Sequence, residues 1–518
     1  MAIGYILGLL AQTRLGIASE ASITAGCSQA CSQLTNEFGS AVHLGSNDSS
    51  FAIWDMKQQE VLPACRVEPT TASQVSRVVE ITVDNWCRFA IKGGGHMTNL
   101  DASNSVGGIT IDLHLMDHIE ISEDRTKANL GPGHILRDAY LALEKHNLTM
   151  VGGRTADVGL PGFTIGGGLS DLGPQYGLAV DNVWEYQLVL PNATIVNVSE
   201  TVHPDLYFAL RGGGNNFGII TNFRSRLVRQ GQKWGGARTY HINFTDPLVD
   251  QSYQLATNLA TDTYMSFWSR NSYDVATDRF SMSVSQAYYD PVVEPPVFAE
   301  LNKIPYETSN LRVDWMSNHS LDSVSPHGLR RVYASITFRP SRILHKQLIN
   351  IYSEEIEGIK TTPGLSSSLV VQALHKNAID AMKVRGGNAL GVESDGPLMS
   401  TLSANYPSLI WSIYRSEPLA DCPCHRKVAL LTLGWSNSED DTAMYSYADR
   451  IINRGKAEAE SMNLLHPWLY INYANHNQDP FSGYGEKNKN RLREIQRTID
   501  PRGIFTSQGL VRGSFKLN

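Results

Sequence analysis

The apolar positions of this chain predict helices and strands along its whole length, and the character of the strands changes after about residue 235. Behind Thr71 and Gln74, spaced as a helix capping box, Val75, Val78, Val79, Thr82 and Val83 recur with helical period and predict a helix. "RFAIK" (88–92) then reads as a short strand running into Gly93, Gly94, Gly95 and His96. "GITIDLHL" (108–115) alternates like a strand, and "HIEISEDRTKANL" (118–130) reads as a hairpin around Glu123-Asp124. "HILRDAYLALEKHNL" (134–148) places Ile135, Ala139 and Leu143 on one helical face. "YQLVLPNATIVNV" (186–198) is a hairpin with Pro191-Asn192 in its turn. The first 230 residues therefore mix short helices and strands, with glycine clusters between them.

After about residue 235 the strands turn aromatic and β-branched: "RTYHINFT", "RFSMSVSQAYY", "RRVYASITF" and "PSLIWSIYRS". Helical stretches such as 246–262 separate them, which predicts an antiparallel sheet backed by helices. Near the end, "KNRLREIQRTIDP" sets Leu492, Ile495 and Ile499 on one helical face, stopped by Asp500-Pro501. No internal repeat occurs.

Composition narrows the classes. The chain has 518 residues, 42% hydrophobic and 18% charged, ordinary globular values with room for more than one core. A net charge of −7 without a basic stripe argues against nucleic acid as a partner. No apolar run reaches the roughly 18–20 residues that span a bilayer, so no membrane insertion is expected. "IGYILGLLA" (3–11) reads as the apolar core of a signal peptide over 1–22, or as a first helix of the fold. N-x-S/T sequons at Asn47, Asn147, Asn192, Asn197, Asn243 and Asn318 push mildly toward a secretory route. The six cysteines, Cys27, Cys31, Cys65, Cys87, Cys422 and Cys424, allow 15 full pairings. None has metal-site spacing, and no metal is expected. His425 and His476 are isolated and read as loop or surface residues.

The candidate chemistry lies in three glycine clusters, Gly93–Gly95, Gly166–Gly168 and Gly212–Gly214. Successive N–H groups in such turns make anion-binding concavities, and three of them suit a long ligand with a diphosphate. No G-x-x-x-x-G-K-[ST] or strand-to-helix G-x-G-x-x-G motif accounts for them. H-E-x-x-H and G-x-S-x-G are absent as well.

"RFAIKGGGHMTN", "VGGRTADVGLPGFTIGGGLSDLGPQYGLAVDNV" (151–183), "HPDLYFALRGGGNNFGIITNF" (203–223) and "YINYANH" (470–476) closely resemble the berberine bridge enzyme family. That family belongs to the vanillyl-alcohol oxidase superfamily of FAD oxidases. The resemblance covers about 45–230 and 465–510. It implies an α+β fold: a two-part FAD-binding domain of the p-cresol methylhydroxylase type over 23–235 and 461–518, and a substrate domain over 236–460.

By the same resemblance, His96 is the covalent FAD tether, through the flavin 8α-methyl carbon. Lys92, Gly93, Gly94, Gly95, Met97, Val158, Gly159, Gly162, Gly166, Gly167, Gly168, Gly218, Ile219, Ile220, Tyr470 and Asn472 are expected to bind the cofactor. Many relatives tie the flavin a second time through a cysteine. Here Thr155 stands there, and a hydroxyl cannot make that bond, so one covalent link is expected. A valine at Val158 goes with oxygen access to the flavin. If Y-x-N-Y lies on a strand, Tyr470 and Asn472 face the flavin and Tyr473 faces substrate as general base. A tyrosine of ordinary pKa, about 10, is a poor base at neutral pH, so a Lys or Arg of the substrate domain is expected beside it. The resemblance also implies a Cys31–Cys65 disulfide, with Cys27 as a substitute for Cys31.

These readings converge on an FAD-linked oxidase of a small organic molecule, a secondary metabolite in preference to a carbohydrate, with a hydride passing to flavin N5 and O2 reduced to H2O2. A flavin-containing cyclase, oxidative or redox-neutral, is the alternative. A non-catalytic binding protein is disfavoured by the intact His96 and Y-x-N-Y. Trp268, Trp315, Tyr333, Trp411 and Tyr414 could stack on substrate, but as a group they read as core.

Overall fold

The computed structural model describes residues 20–45, 50–257, 262–392 and 426–517. Most of the expected leader lies outside these residues, as do Asn47, the strand expected at 407–416 with Trp411 and Tyr414, and Cys422, Cys424 and His425.

Two sheets build the first half. In one, Val42–Leu44 pairs antiparallel with Cys65–Val67, while Ile109–Asp112 lies parallel between Cys65–Val67 and Phe89–Lys92. The expected helix covers it over Ala72–Asp84, burying Val75, Val78, Val79, Thr82 and Val83. Thr71 caps it by accepting from Gln74 N at 3.2 Å, while the Gln74 side chain accepts from Thr70 N at 2.7 Å. The other sheet is antiparallel and centred on Ile219–Arg229, with the two expected hairpins on its flanks at Ile119–Ile121/Lys127–Leu130 and Val183–Val189/Ile195–Ser199. The Leu136–Glu144 helix buries Ala139 and Leu143, but Ile135 sits at its N-cap, only partly buried.

Among the described residues the later half supplies a nine-stranded antiparallel sheet. Its strands alternate sharply. Phe267, Leu369, Val371, Val332, Ala334, Ile336, Leu431 and Leu433 pack into one apolar cluster with the helices Thr245–Thr257, Arg342–Glu357 and Asp441–Ser461. Trp268, Arg270, Val370, Ser368, Leu430, Thr432 and Tyr333 alternate with them and face the opposite way, into a cavity. The C-terminal segment packs back on the first half: Leu492 and Ile495 join Leu206 and Phe208 in one core, and Phe505 meets Phe89 edge-on at 5.8 Å. The fold is α+β, with sheets and helices arranged as expected.

Two disulfides pin the N-terminal helix Glu20–Phe38. Cys31 pairs with Cys65, and Cys27 pairs with Cys87 instead of substituting for Cys31. Such bonds persist in oxidising surroundings. No helix among the described residues is long and apolar enough to cross a membrane.

Candidate active site

One cavity of about 770 Å³ opens between the glycine-rich loops and the uncovered face of the large sheet. The loop wall carries Gly93, Gly94, Gly95, His96, Met97, Val158, Gly159, Gly162, Gly166, Gly218, Ile219 and Ile220. Tyr470, Asn472 and Tyr473 line it as well. Segments far apart in sequence thus meet at one surface.

The glycines have a local cause beyond the one expected. A Cβ on Gly94 would stand 2.2 Å from Gly159 N, and one on Gly159 would stand 2.1 Å from Gly94 N. The two loops cross backbone against backbone, and only glycine permits it. At Gly162, by contrast, a Cβ would meet nothing within 4 Å, so the loop wall keeps free space there. Three of the expected cofactor residues do not line the cavity. Lys92 is buried and turns its ammonium to Asp112 Oδ1 at 3.1 Å, in a network with Arg66, Glu68 and His114. Gly167 packs against Leu390 and Tyr470, and Gly168 against Ala179 and Phe163. Of the third cluster, Gly214 reaches the cavity, whereas Gly212 abuts Leu390 and Gly213 abuts Phe217.

His96 is held from two sides. Its ring stacks on Trp54, centroids 4.2 Å apart and planes 12° from parallel. Its Nε2 lies 3.3 Å from Asp157 Oδ2, outside hydrogen-bond geometry, and so remains a buried nitrogen without a hydrogen bond. Burial pushes the imidazole pKa below its ordinary value and outweighs the opposing pull of Asp157. The neutral ring keeps a lone pair, as a nucleophile needs. That orphaned nitrogen and the free space at Gly162 fit a large planar group with a diphosphate tail.

Y-x-N-Y is not a strand. Tyr473 N donates to Tyr470 O at 2.9 Å, closing a tight helical turn over Ile471–Tyr473. Tyr470 Oη accepts from Gly168 N at 3.1 Å and Leu169 N at 3.0 Å. Asn472 Nδ2 donates to Phe163 O and to Tyr470 Oη, both at 3.0 Å. The Tyr473 ring stands edge-on to Tyr470, 4.7 Å between centroids. The two inner residues therefore brace the glycine loop, and Tyr473 projects over Trp268, Val370 and Leu430 of the sheet.

The cation beside Tyr473 is Arg154, from the first half of the chain and not from the substrate region. Its Nη2 donates to Tyr473 Oη at 3.2 Å and to Gln372 Oε1 at 2.6 Å. Asp171 lies 3.8 Å from Nη1 and accepts from Ser266 Oγ at 2.9 Å. Burial works against the charge on Arg154, but Tyr473 and Asp171 outweigh it, and its pKa ends above the ordinary value. Sequence reading missed Arg154, Asp157 and Trp54. The first two stood in view within "VGGRTADVG", whereas Trp54 gave no signal. Trp268 and Tyr333, read as core, line the cavity; Trp315 does not.

The family described as FAD binding domain matches residues 63–199. FAD-dependent monooxygenase tpcD of Cochliobolus heterostrophus is 31% identical over 99% of both chains. Bifunctional solanapyrone synthase of Alternaria solani is 28% identical over 88% of this chain and 82% of its own. Among solved structures, BBE-like 1 of Physcomitrella patens superposes with a TM-score of 0.71 at 19% identity, covering 93% of this chain and 98% of its own. Berberine bridge enzyme of Eschscholzia californica gives 0.69 at 16% identity, covering 94% and 100%.

Proposed function

Because the chain belongs to the FAD-dependent oxidoreductases that include this monooxygenase, we propose that it oxidises a small secondary metabolite in this cavity, with O2 as acceptor. The observation that carries the reading is Arg154 Nη2 at 3.2 Å from Tyr473 Oη, in the cavity that also holds His96. Bound here, FAD would supply a two-electron acceptor for hydride chemistry and a route for the electrons to O2. His96 is the single covalent tether, Thr155 being unable to provide a second. The glycine loop wall would hold the cofactor, with His96 as its tether. Tyr473 takes the proton from an acidic O–H, N–H or C–H group of the substrate. It does so as the phenolate, and Arg154, fixed by Gln372 and Asp171, orients that oxygen and faces the negative charge it carries until the proton arrives. Val158 is compact and lines the cavity, which keeps a path open for oxygen.

Two further readings rest on the relatives' names. A monooxygenase would place an oxygen atom in its product, and a synthase admits the cyclase alternative already read from the sequence. Reducing the purified protein with light in the absence of air, then admitting oxygen, tests the acceptor. The account expects prompt return of the oxidised spectrum with stoichiometric peroxide. Reoxidation over many minutes would make the protein a dehydrogenase instead. Peroxide matched to product during turnover marks the oxidase; product without peroxide marks the oxygen-inserting reading if O2 is consumed and a redox-neutral cyclase if it is not. We also propose a secretory route, since the disulfides agree with exposed sequons at Asn147, Asn192, Asn197 and Asn243.

A further inference from the structure

The sheet wall of the cavity carries a charge imbalance that the proposed chemistry does not use. Three arginines line the cavity, Arg154, Arg270 and Arg331. Arg154 is committed to Tyr473, Gln372 and Asp171. Arg331 donates to the carbonyls of Trp54, Leu329 and Pro326, and its guanidinium stacks 3.9 Å from the Trp54 ring centre. Arg270 has no such commitment. Among the described residues no carboxylate lies within ion-pair reach of it, and its buried Nε has no hydrogen-bond partner. Its one close contact of this kind is the Trp268 ring, 5.2 Å from the guanidinium carbon, with Arg154 at the same distance from that ring. Among the described residues the single carboxylate on the cavity wall, Asp274, is exposed and occupied by Ala276 N and Thr277 Oγ1.

Arg270 is half-buried, with its Nε fully so, and a cation withdrawn that far from water without a counter-ion is retained where a ligand supplies the missing charge. The surroundings of Arg270 are graded to match. Toward Tyr473 lie Trp268, Val370, Leu430 and Tyr333, an apolar and aromatic floor. Beyond Arg270 on the same sheet face lie Ser272 and the pair Ser368 and Thr432, whose hydroxyls are 2.8 Å apart. A planar guanidinium fork matches a carboxylate through two parallel N–H···O bonds.

Building on the oxidoreductase reading, we propose that Arg270 is a specificity residue: the substrate is an aromatic or conjugated molecule bearing a carboxylate, which Arg270 binds while the apolar body lies beneath Tyr473.

Cinnamate and its neutral counterpart cinnamamide test this on the purified protein, with tryptophan fluorescence and the visible flavin spectrum as readouts. The wild-type protein should bind cinnamate roughly 10- to 100-fold more tightly than the amide, the span of one charge-assisted contact. Arg270→Gln should erase that preference, and Arg270→Lys should keep part of it. Equal affinity for the two probes, no cinnamate binding at millimolar concentration, or a preference that survives in Arg270→Gln would overturn the proposal. The outcomes are separable from those of the parent reading. A yellow protein without the preference defeats only the Arg270 assignment. A colourless protein that still selects cinnamate by fluorescence defeats the oxidoreductase reading and leaves the anion site.

Discussion

Tyr473 and Arg154, each half-buried, form a pair on the cavity wall. Replacing Tyr473 by Phe removes the proton acceptor and keeps the ring packing on Tyr470. Turnover of the true substrate should fall on the order of 10²–10⁴-fold, with KM little changed, as steady-state kinetics would show. A fall confined to KM would make Tyr473 a binding residue. The sequence pointed to Tyr473 and His96 because the motifs around them are specific. It did not identify the partner cation, because the contact from Arg154 to Tyr473 spans 319 positions and depends on how the glycine loop meets the sheet. Arg270 was silent for a similar reason. A lone arginine in a β-rich stretch looks like any exposed one until its face of the sheet is known.

Among elements, the crossing of the two glycine loops is the most demanding feature. Gly94→Ala would press a methyl group against Gly159 N, so the loops must separate and the cavity wall must move. Flavin content, read from the ratio of visible to ultraviolet absorbance, should drop severely while the protein still folds. Full flavin content in that variant would show that the crossing is not needed for binding. The Y-x-N-Y element shows how a correct motif can carry a wrong conformation. Alternation along a strand would have sent Tyr473 to the face opposite Tyr470. The Tyr473 N–H instead closes a turn on Tyr470 O, and Asn472 reaches the Phe163 carbonyl. Such turns are set by partners distant in sequence, which a short motif does not encode. The helices at 72–84 and 486–499 were legible because their apolar faces alone dictate them. The Cys31–Cys65 bond ties the first helix to the first sheet across 34 positions. Replacing both cysteines by serine should cost about 2–5 kcal/mol in denaturant unfolding, with Cys27–Cys87 still in place. An unchanged unfolding midpoint would contradict that.

For the whole molecule, acid sensitivity follows from buried neutral histidines. His345, on the Arg342–Glu357 helix, has neither ring nitrogen hydrogen-bonded, and burial together with Lys427 pushes its pKa well below 6.5. His466 is pushed down to about 4, first by burial and then by Arg426 and Arg339. Both bind a proton more readily unfolded than folded. Their contribution to stability is therefore intact above the unfolded value of about 6.5 and is lost as pH falls toward the folded one. His345→Leu should flatten the decline of Tm between pH 7 and pH 5; an unchanged slope would exclude His345 as a contributor. The division near 235 was visible as a change in strand character, the one at 460/461 came from the family resemblance, and we retain both as proposed domain boundaries. The cavity between the parts was not visible, because it exists only where loops from one meet the sheet of the other.

The most direct test of the account is to precipitate the purified protein with acid, digest the pellet and find the peptide that carries the flavin. The account predicts that the yellow colour stays in the pellet and that one peptide, containing His96 and not Thr155, bears the mass of FAD. Flavin released into the supernatant, flavin on another residue, or a colourless protein would contradict it.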